Sequence, residues 1–316
     1  MSFVVTVPAT TSNLGPGFDC LGAALNLYNK FEFAVSEELR ITASGLFADK
    51  IAKNKNNLIY QSFEQFFDRI GKPKPVISLG IETQVPLARG LGSSATATIG
   101  GLVGGNLLAG SPLSQDDLLS MAIEIEGHPD NVAPAMLGGC QLIASKLNGG
   151  WEYCALPWHE QVSIALAIPD FELSTSKARQ ALPKQVTLKD AIFNASHLAL
   201  LTQALITANP DWLQSALQDR LHQPYRQSLI PGMEAVQTAA IESGAYGLVI
   251  SGVTTFSSTK RPAGASYTSS LANTCPTSVI ERRLDWLGRE DSNLRMPVPK
   301  TGALPLGDAP STCAPL

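Results

Sequence analysis

The order of apolar and polar residues in the first half of the chain predicts strands that alternate with helices. Clusters of β-branched and aromatic residues predict strands at positions 3–7, 31–35, 76–81 and 140–144. The first strand is expected to end before Pro8. Apolar residues at helical spacing predict a helix over 57–70, which stops at Gly71. Another helix is expected to follow Ser114, a suitable N-cap, and to run through Glu126.

The pattern starts again after residue 155 and predicts a second unit of strands and helices. A strand is expected at 163–168, helices at 188–208, 211–217 and 232–243, and a buried strand at 247–251. We therefore predict an α+β fold class with a first domain over 1–155 and a second over 156–252.

Beyond Gly252 the pattern is lost. Residues 253–280 contain 12 Ser or Thr, and proline is frequent in the part that follows. Such a composition buries too little apolar surface to offset the entropy of the chain. The sequence thus predicts an aberrant, disordered segment over 253–316.

Composition narrows the function to a few classes. Apolar residues make up 44% of the chain and charged residues 16%, and the formal net charge of −4 includes no long basic run. These values favour a globular protein and argue against general binding of nucleic acid or of a membrane surface. Five cysteines without CxxC spacing, and no signal or membrane-spanning segment, predict a cytoplasmic protein with reduced thiols.

One segment carries candidate chemistry on its own. The glycine-rich loop (residues 90–95, GLGSSA) precedes a predicted helix that begins near Ser94. Gly90 and Gly92 let backbone N–H groups converge, and a helix N-terminus attracts phosphate. The loop is not a Walker A sequence. A purely structural glycine-rich turn, followed by a closely packed helix of small residues, is the alternative that this segment alone leaves open.

Three sequence segments, in this order along the chain, favour a phosphate-binding loop over a purely structural turn. PATTSNLGPGFDCLG near the start, PLARGLGSSATATIG in the middle and EGHPDNVAPAMLGG further on resemble the GHMP kinases, and within them the homoserine kinases. The resemblance covers residues 3–252. It implies an N-terminal domain like ribosomal protein S5 domain 2, a ferredoxin-like C-terminal domain, and an active site between them. The implied reaction transfers phosphate from ATP, with Mg²⁺, to L-homoserine, on the way to threonine.

The resemblance also assigns site residues. Nucleotide contacts would come from Asn57, Pro86, Leu87, Ala88, Arg89, Gly90, Leu91, Gly92, Ser93, Ser94 and Ala95. Substrate contacts would come from Asn13, Asp19, Thr175, Arg179 and Arg226, since an acid suits an ammonium group and arginines suit a carboxylate. The segment with His128, Asp130 and Asn131 would face the transferred phosphoryl group.

Some assignments keep alternatives. The Mg²⁺ ligands would be Ser94 and a glutamate, for which we prefer Glu126 over Glu124, its neighbour two residues away. Asn13 and Asp130 also suit turns, and Asp19 also suits a helix cap.

The likeness ends where relatives have a GAGPT-type loop. The second domain is therefore expected to be incomplete, and we hypothesise that the segment from Val253 onward is a frame-shifted or read-through product. Two other functions stay open: phosphorylation of another small alcohol, and binding of ATP or an amino acid without turnover. A homodimer is compatible with the resemblance.

Overall fold

The first sheet contains the strands of the N-terminal part. The computed structural model describes residues 2–169, 171–251, 254–260 and 277–278. The six strands of this sheet are β1 (Ser2–Ser12), β2 (Leu21–Val35), β3 (Arg40–Gly45), β4 (Ile77–Thr83), β5 (Cys140–Ser145) and β6 (Trp151–Leu156). They pair in the order β3-β4-β2-β5-β6, and β1 pairs with β2. All of these pairs are antiparallel except β3 with β4.

Strand β1 does not end before Pro8, so that expectation is wrong. The strand continues to Ser12, and its register against β2 shifts between Pro8 and Ala9. Such an irregularity lets a residue without an N–H group stay in a sheet. The extension carries β1 to Thr10, Thr11 and Ser12, next to the glycine-rich loop.

Four helices cover one face of this sheet. They are α1 (Leu58–Ile70), α2 (Ser93–Leu108), α3 (Gln115–Glu126) and α4 (Pro129–Leu137). Helix α1 is capped by the Asn57 side chain and ends at Gly71 in the left-handed conformation. Ser114 and Asp117 form a capping box at α3. The core between the helices and the sheet contains the aromatic side chains of Phe31 and Phe33 from β2 and of Phe63 and Phe66 from α1.

Helix α2 lies unusually close to its neighbours because glycines face them. A Cβ added at Gly100 would lie 2.3 Å from the Phe31 ring, and one at Gly104 would lie 2.3 Å from the Phe33 ring. These glycines therefore have the structural use that the sequence left open, in addition to any role of the loop before them.

The second sheet follows in the order β10-β7-β9-β8. Its strands are β7 (Val162–Pro169), β8 (Ala245–Ser251), β9 (Thr254–Lys260) and β10 (Thr277–Ser278). The helices of this part are α5 (Thr175–Gln180), α6 (Leu188–Thr207), α7 (Pro210–Ala216), α8 (Gln223–Arg226) and α9 (Met233–Glu242). Two short 3₁₀ turns, Ala48–Lys50 and Gln227–Leu229, complete the elements. Among the residues described, every helix is too short or too polar to cross a bilayer.

Residues 254–260 differ from the disorder expected after Gly252, because they form β9 between β7 and β8. Apart from this strand and β10, the segment 253–316 lies outside the described residues, and so does the junction to which the frame-shift hypothesis refers. The expected domain boundary near residue 155 falls at the end of β6, and the division into domains stays a proposal. Apolar side chains from both parts, such as Leu14, Leu21, Leu201 and Val249, share one core cluster.

Candidate active site

A cleft of about 260 Å³ collects most of the residues that the sequence singled out. Of those residues, it is lined by Asn13, Asp19, Ala88, Gly90, Gly92, Ser93, Ser94, Ala95, Glu126, His128, Asp130, Asn131, Thr175, Arg179 and Arg226. They come from the end of β1 and the loop after it, the glycine-rich loop, the α3–α4 junction, α5 and α8. The three sequence segments and the two arginines therefore converge on one place.

The glycine-rich loop leaves the start of α2 open. Gly92 precedes the helix with φ +66°, and no side chain caps the first turn. A Cβ at Gly92 would lie 2.0 Å from Thr10 Oγ1 and 3.2 Å from Asn131 Oδ1, so only glycine fits. Backbone N–H groups of the first turn, together with the positive end of the helix dipole, can hold a phosphate here.

Glu126 lies beside the glycine-rich loop and Glu124 does not. Glu126 Oε1 accepts a hydrogen bond of 2.7 Å from Ser94 Oγ and another of 2.7 Å from Thr98 Oγ1. Glu124 instead pairs with Arg69 on an exposed surface. Ser94 therefore lies beside Glu126, the glutamate that we preferred from the sequence, and not beside Glu124.

The oxygens of Ser94 and Glu126 suit a divalent cation. Ser94 and Glu126 offer a hydroxyl and a carboxylate at the open end of α2, and such hard oxygen ligands suit Mg²⁺, which also retains waters and phosphate oxygens. In the described residues there is no cluster of three or more His, Cys, Asp or Glu that would hold an ion by itself. The residues fit a cation that arrives with a phosphate group.

The partly buried His128 and the buried Asp130 form a pair at the start of α4. His128 Nδ1 lies 2.7 Å from Asp130 Oδ1, and Asp130 is 2% exposed. Burial opposes protonation of His128, but the hydrogen bond and the charge of Asp130 outweigh it and raise the pKa of His128 above its usual 6.5. Because Pro129 is the first residue of α4, Asp130 belongs to a helix and not to a turn.

Asn131 connects this helix with the first strand. Its Oδ1 accepts a hydrogen bond of 2.8 Å from Thr10 Oγ1, directly beside Gly92. The amide is therefore fixed at the glycine-rich loop, where it can orient a group that approaches a bound phosphate.

The Asp19 loop (residues 13–19) follows β1. Asn13, Leu14 and Asp19 have φ angles of 71°, 46° and 57°, which L-residues adopt rarely. Asn13 Oδ1 accepts a bond of 3.2 Å from the Asp19 N–H group, so Asn13 shapes the loop. The element that follows Asp19 is strand β2, which begins at Leu21, so Asp19 caps no helix.

Arg179 binds Asp19 with both of its terminal nitrogens. Nη1 donates to Oδ2 at 2.9 Å and Nη2 to Oδ1 at 2.5 Å. Both side chains are about one-third exposed to the cleft. Ser174 caps α5. Thr175, the first residue of that helix, is exposed and lines the same cleft.

Arg226 is the second arginine of the cleft and is only 3% exposed. Its Nε has no hydrogen-bond partner, and its guanidinium lies 5.1 Å from the centre of the Phe18 ring. In the described part of the chain no carboxylate forms an ion pair with it. Burial and the charge of Arg179 lower the pKa of Arg226. A buried cation in this state attracts an anionic group of a ligand.

Five of the expected nucleotide residues are not at the cleft. Asn57 is buried and its side chain caps α1 and bonds the Ala52 carbonyl. Leu91 packs in an apolar cluster, and Arg89 donates to the carbonyl of Pro169. Pro86 and Leu87 precede the lining residues. Contacts of these five with a nucleotide stay a prediction.

Sequence reasoning missed several partners at the cleft. Ser251 Oγ accepts a bond of 2.9 Å from the Ser12 N–H group and donates one of 3.1 Å to the Gly90 carbonyl. Thr98 could have been found, because it lies one helical turn after Ser94. For Ser251, a distant residue on another sheet, the sequence carries no signal.

Known proteins resemble the chain over most of its length. Residues 57–139 match the family described as GHMP kinases N terminal domain. The homoserine kinase of a Synechococcus strain is 59% identical over 250 residues, which are 78% of this chain and 82% of that protein. That of Trichormus variabilis is 56% identical and covers 79% and 83%. A crystal structure of homoserine kinase from Cytophaga hutchinsonii matches with a TM-score of 0.72 at 31% identity, covering 82% and 85%.

Proposed function

The chain belongs to the homoserine kinases of the GHMP kinase family, and on that premise we propose that its cleft transfers the γ-phosphoryl group of ATP to the side-chain hydroxyl of L-homoserine. The products are O-phospho-L-homoserine and ADP, and the reaction serves threonine biosynthesis. The α+β fold agrees with this family, as the sequence predicted.

One observation carries the proposal: a single cleft has a phosphate site near groups that suit an amino acid. The open start of α2 at Gly92 suits the phosphates of ATP. Asp19, Arg179 and Arg226 line the same cleft and suit an ammonium and a carboxylate. L-Homoserine carries both of these groups and a hydroxyl to be phosphorylated.

Binding of the amino acid would exchange partners within an existing ion pair. Asp19 and Arg179 neutralise each other in the cleft. A zwitterion gives Asp19 an ammonium and gives Arg179 and Arg226 a carboxylate, so no charge of the pair stays unmatched. An alcohol that carries only a carboxylate would leave Asp19 without a partner, which disfavours it.

Positioning and electrostatics would carry the transfer. The hydroxyl oxygen of homoserine forms the new bond to the γ-phosphorus while the bond to the β–γ bridging oxygen breaks and ADP leaves. Asn131, fixed by Thr10, would orient that hydroxyl, and the N–H groups of the first turn of α2 would stabilise charge on the phosphoryl oxygens. Asp130 is engaged by His128, so we assign it no role as a base, and the hydroxyl proton passes to the transferred group.

Ser94 and Glu126 would hold Mg²⁺, as their hydroxyl and carboxylate allow. The ion would supply positive charge that stabilises the phosphate groups during the transfer. A cytoplasmic location, expected from the sequence, and a homodimer, compatible with the family resemblance, belong to the same proposal.

Release of ADP from Mg-ATP, with and without L-homoserine, tests the proposed function. The matched analogues are 4-hydroxybutyrate, which lacks the ammonium, and 3-aminopropan-1-ol, which lacks the carboxylate. Release that depends on homoserine and is at least tenfold weaker with either analogue would support the proposal. Equal turnover of 4-hydroxybutyrate or mevalonate would favour another alcohol as substrate.

Binding of both ligands without turnover would favour the non-catalytic alternative. To separate an incomplete second domain from a wrong substrate, the chain is given a GAGPT-type ending after Gly252. If homoserine is then still not phosphorylated, the assignment of the substrate is wrong.

A further inference from the structure

We propose that His222 is a positioning residue that holds the Asp19 loop, and through it the amino-acid end of the cleft, in its binding conformation. His222 is fully buried in the segment between α7 and α8. None of the steps above uses it. The inference rests on the proposed function, since it concerns the homoserine side of the same cleft.

The first observation is the contact with the loop backbone. His222 Nε2 lies 2.8 Å from the carbonyl oxygen of Gly15. A carbonyl can only accept, so Nε2 carries the proton and donates it. Burial lowers the pKa of His222, which keeps the ring neutral. Its Nδ1 is then a bare acceptor without a partner. An unpaired buried nitrogen is unfavourable, so an apolar ring such as that of phenylalanine would fill this space better if packing were the only role of His222.

The second observation is a stack of rings beneath the two arginines. The His222 ring stacks on Phe18 with centroids 5.1 Å apart and an interplanar angle of 24°. On Phe18 lie the guanidinium groups of Arg226 at 5.1 Å and Arg179 at 5.5 Å. His222 therefore supports both the backbone of the Asp19 loop and the aromatic residue on which the arginines rest.

The third observation is that the loop needs such support. Three of its non-glycine residues have positive φ angles, each of which is unfavourable and persists only when surrounding contacts impose it. The loop also lies against the end of α7, where a Cβ at Gly15 would be 2.9 Å from the Leu217 carbonyl oxygen. His222 lies on this side of the loop and supplies a hydrogen bond there.

A buried carboxylate fixes His222 in turn. Asp219 Oδ2 accepts hydrogen bonds from the backbone N–H groups of His222 at 2.8 Å and Gln223 at 2.6 Å. Asp219 Oδ1 accepts one of 2.6 Å from Asn194 Nδ2. Asp219 thus fixes the backbone of His222, while the ring of His222 contacts the Asp19 loop.

The experiment compares His222→Phe, which keeps a flat ring on Phe18 but removes the donor, with His222→Gln, which keeps a donor. His159→Gln, outside the cleft, is the matched control. In the full chain, hydrogen exchange of residues 13–19 is measured against exchange of α2, and KM is measured for homoserine and for ATP. Phe18→Leu, at a partly exposed residue, is a second test of the stack that does not change the core.

We expect His222→Phe to accelerate exchange of residues 13–19 but not of α2, and to raise the KM for homoserine about tenfold with the KM for ATP within about twofold. His222→Gln should recover most of both effects, and Phe18→Leu should raise the KM for homoserine alone. Unchanged exchange, an unchanged KM for homoserine, or an equal rise of both KM values would overturn the proposal. If His222→Phe does not fold, His222→Gln and Phe18→Leu decide.

The exchange measurement needs no turnover. If the unaltered chain releases no ADP with homoserine, the proposed function fails, whereas exchange of residues 13–19 still decides whether His222 holds the loop.

Discussion

Arg179 donates two hydrogen bonds to the carboxylate of Asp19, a residue 160 positions away in the sequence. Both side chains line the cleft. The opposite charges of the two side chains neutralise each other within the cleft. Because a zwitterion can replace each half of the pair, the contact would select for a substrate that carries both charges under the proposed function.

Asp19→Asn should therefore weaken binding of homoserine while binding of ATP is retained. Losing a charge-assisted bond to the ammonium costs about 1.5–3 kcal/mol, or roughly 10- to 100-fold in KM for homoserine. Steady-state kinetics with each substrate varied in turn measures this. Asp116→Asn, at an acid of α3 outside the cleft, is the control. An unchanged KM for homoserine in Asp19→Asn would show that Asp19 does not bind the ammonium.

Arg226→Met should separate stability from function. The change removes a buried cation that has no ion pair in the described residues, so it should leave the melting temperature unchanged or raise it. It should also remove a carboxylate ligand and raise the KM for homoserine at least tenfold. Thermal unfolding and kinetics of the same preparation measure both. A large loss of stability would mean that Arg226 is a structural residue.

Thr98→Val should raise the Mg²⁺ requirement of the reaction. The substitution keeps the shape of a fully buried side chain but removes one of two hydroxyls that hold Glu126 Oε1. A loss of about 1 kcal/mol corresponds to roughly a fivefold higher Mg²⁺ concentration at half-maximal rate. Titration of Mg²⁺ at saturating homoserine measures it. Thr98→Ser, which retains the hydroxyl, should behave like the unaltered chain, and an equal shift in both variants would contradict the argument.

Gly104→Ala should destabilise the chain although alanine is the better helix former. The gain in helix propensity is about 1 kcal/mol. The new methyl group would lie 2.3 Å from the Phe33 ring, and overpacking of a core costs about 1–3 kcal/mol or more, so the clash dominates. Denaturant unfolding should show a net loss of stability. Gly80→Ala, where the nearest atom is 3.5 Å from the added Cβ, is the control and should change stability little.

The His128–Asp130 pair should stabilise the fold more in mild acid than in base. The folded pKa of His128 is raised, so its contribution is fully present below the unfolded value of 6.5 and is lost as the pH rises through the folded value. The melting temperature of the unaltered chain minus that of His128→Gln should therefore be larger at about pH 6 than at about pH 8. A difference that is independent of pH would mean that His128 does not titrate in this range.

The sequence predicted the regular elements well where local signals and burial agree. Helix α3 begins after Ser114 and α1 ends at Gly71, because caps and left-handed glycines are local features. Strand β3 was missed, since its alternation is mostly exposed and lacks a hydrophobic run. Helix α4 was read as a turn, because proline begins it and its length depends on burial of its apolar face against the sheet.

The site was predicted unevenly for a similar reason. Motif resemblance identified the residues that line the cleft, but not the direction in which each side chain points. Asn57 illustrates this: it was expected at a nucleotide, and its side chain caps a helix. Ser251 and His222 come from distant parts of the chain, and only the fold brings them to the loops that they hold.

The hydroxyl of Ser251 joins the end of strand β1 to the glycine-rich loop. It lies 2.9 Å from the nitrogen of Ser12 and 3.1 Å from the carbonyl oxygen of Gly90. Together with the hydrogen bond of 3.1 Å from the Thr10 N–H group to the Leu91 carbonyl oxygen, this hydroxyl sets the distance between the glycine-rich loop and the strand that leads to the Asp19 loop. Alanine would remove this partner from the buried Ser12 N–H group and from the partly buried Gly90 carbonyl, and a longer side chain would push the two groups apart. Under the proposed function, this spacing would set how the two substrates meet, and phosphoryl transfer tolerates only a small misalignment of the reacting atoms.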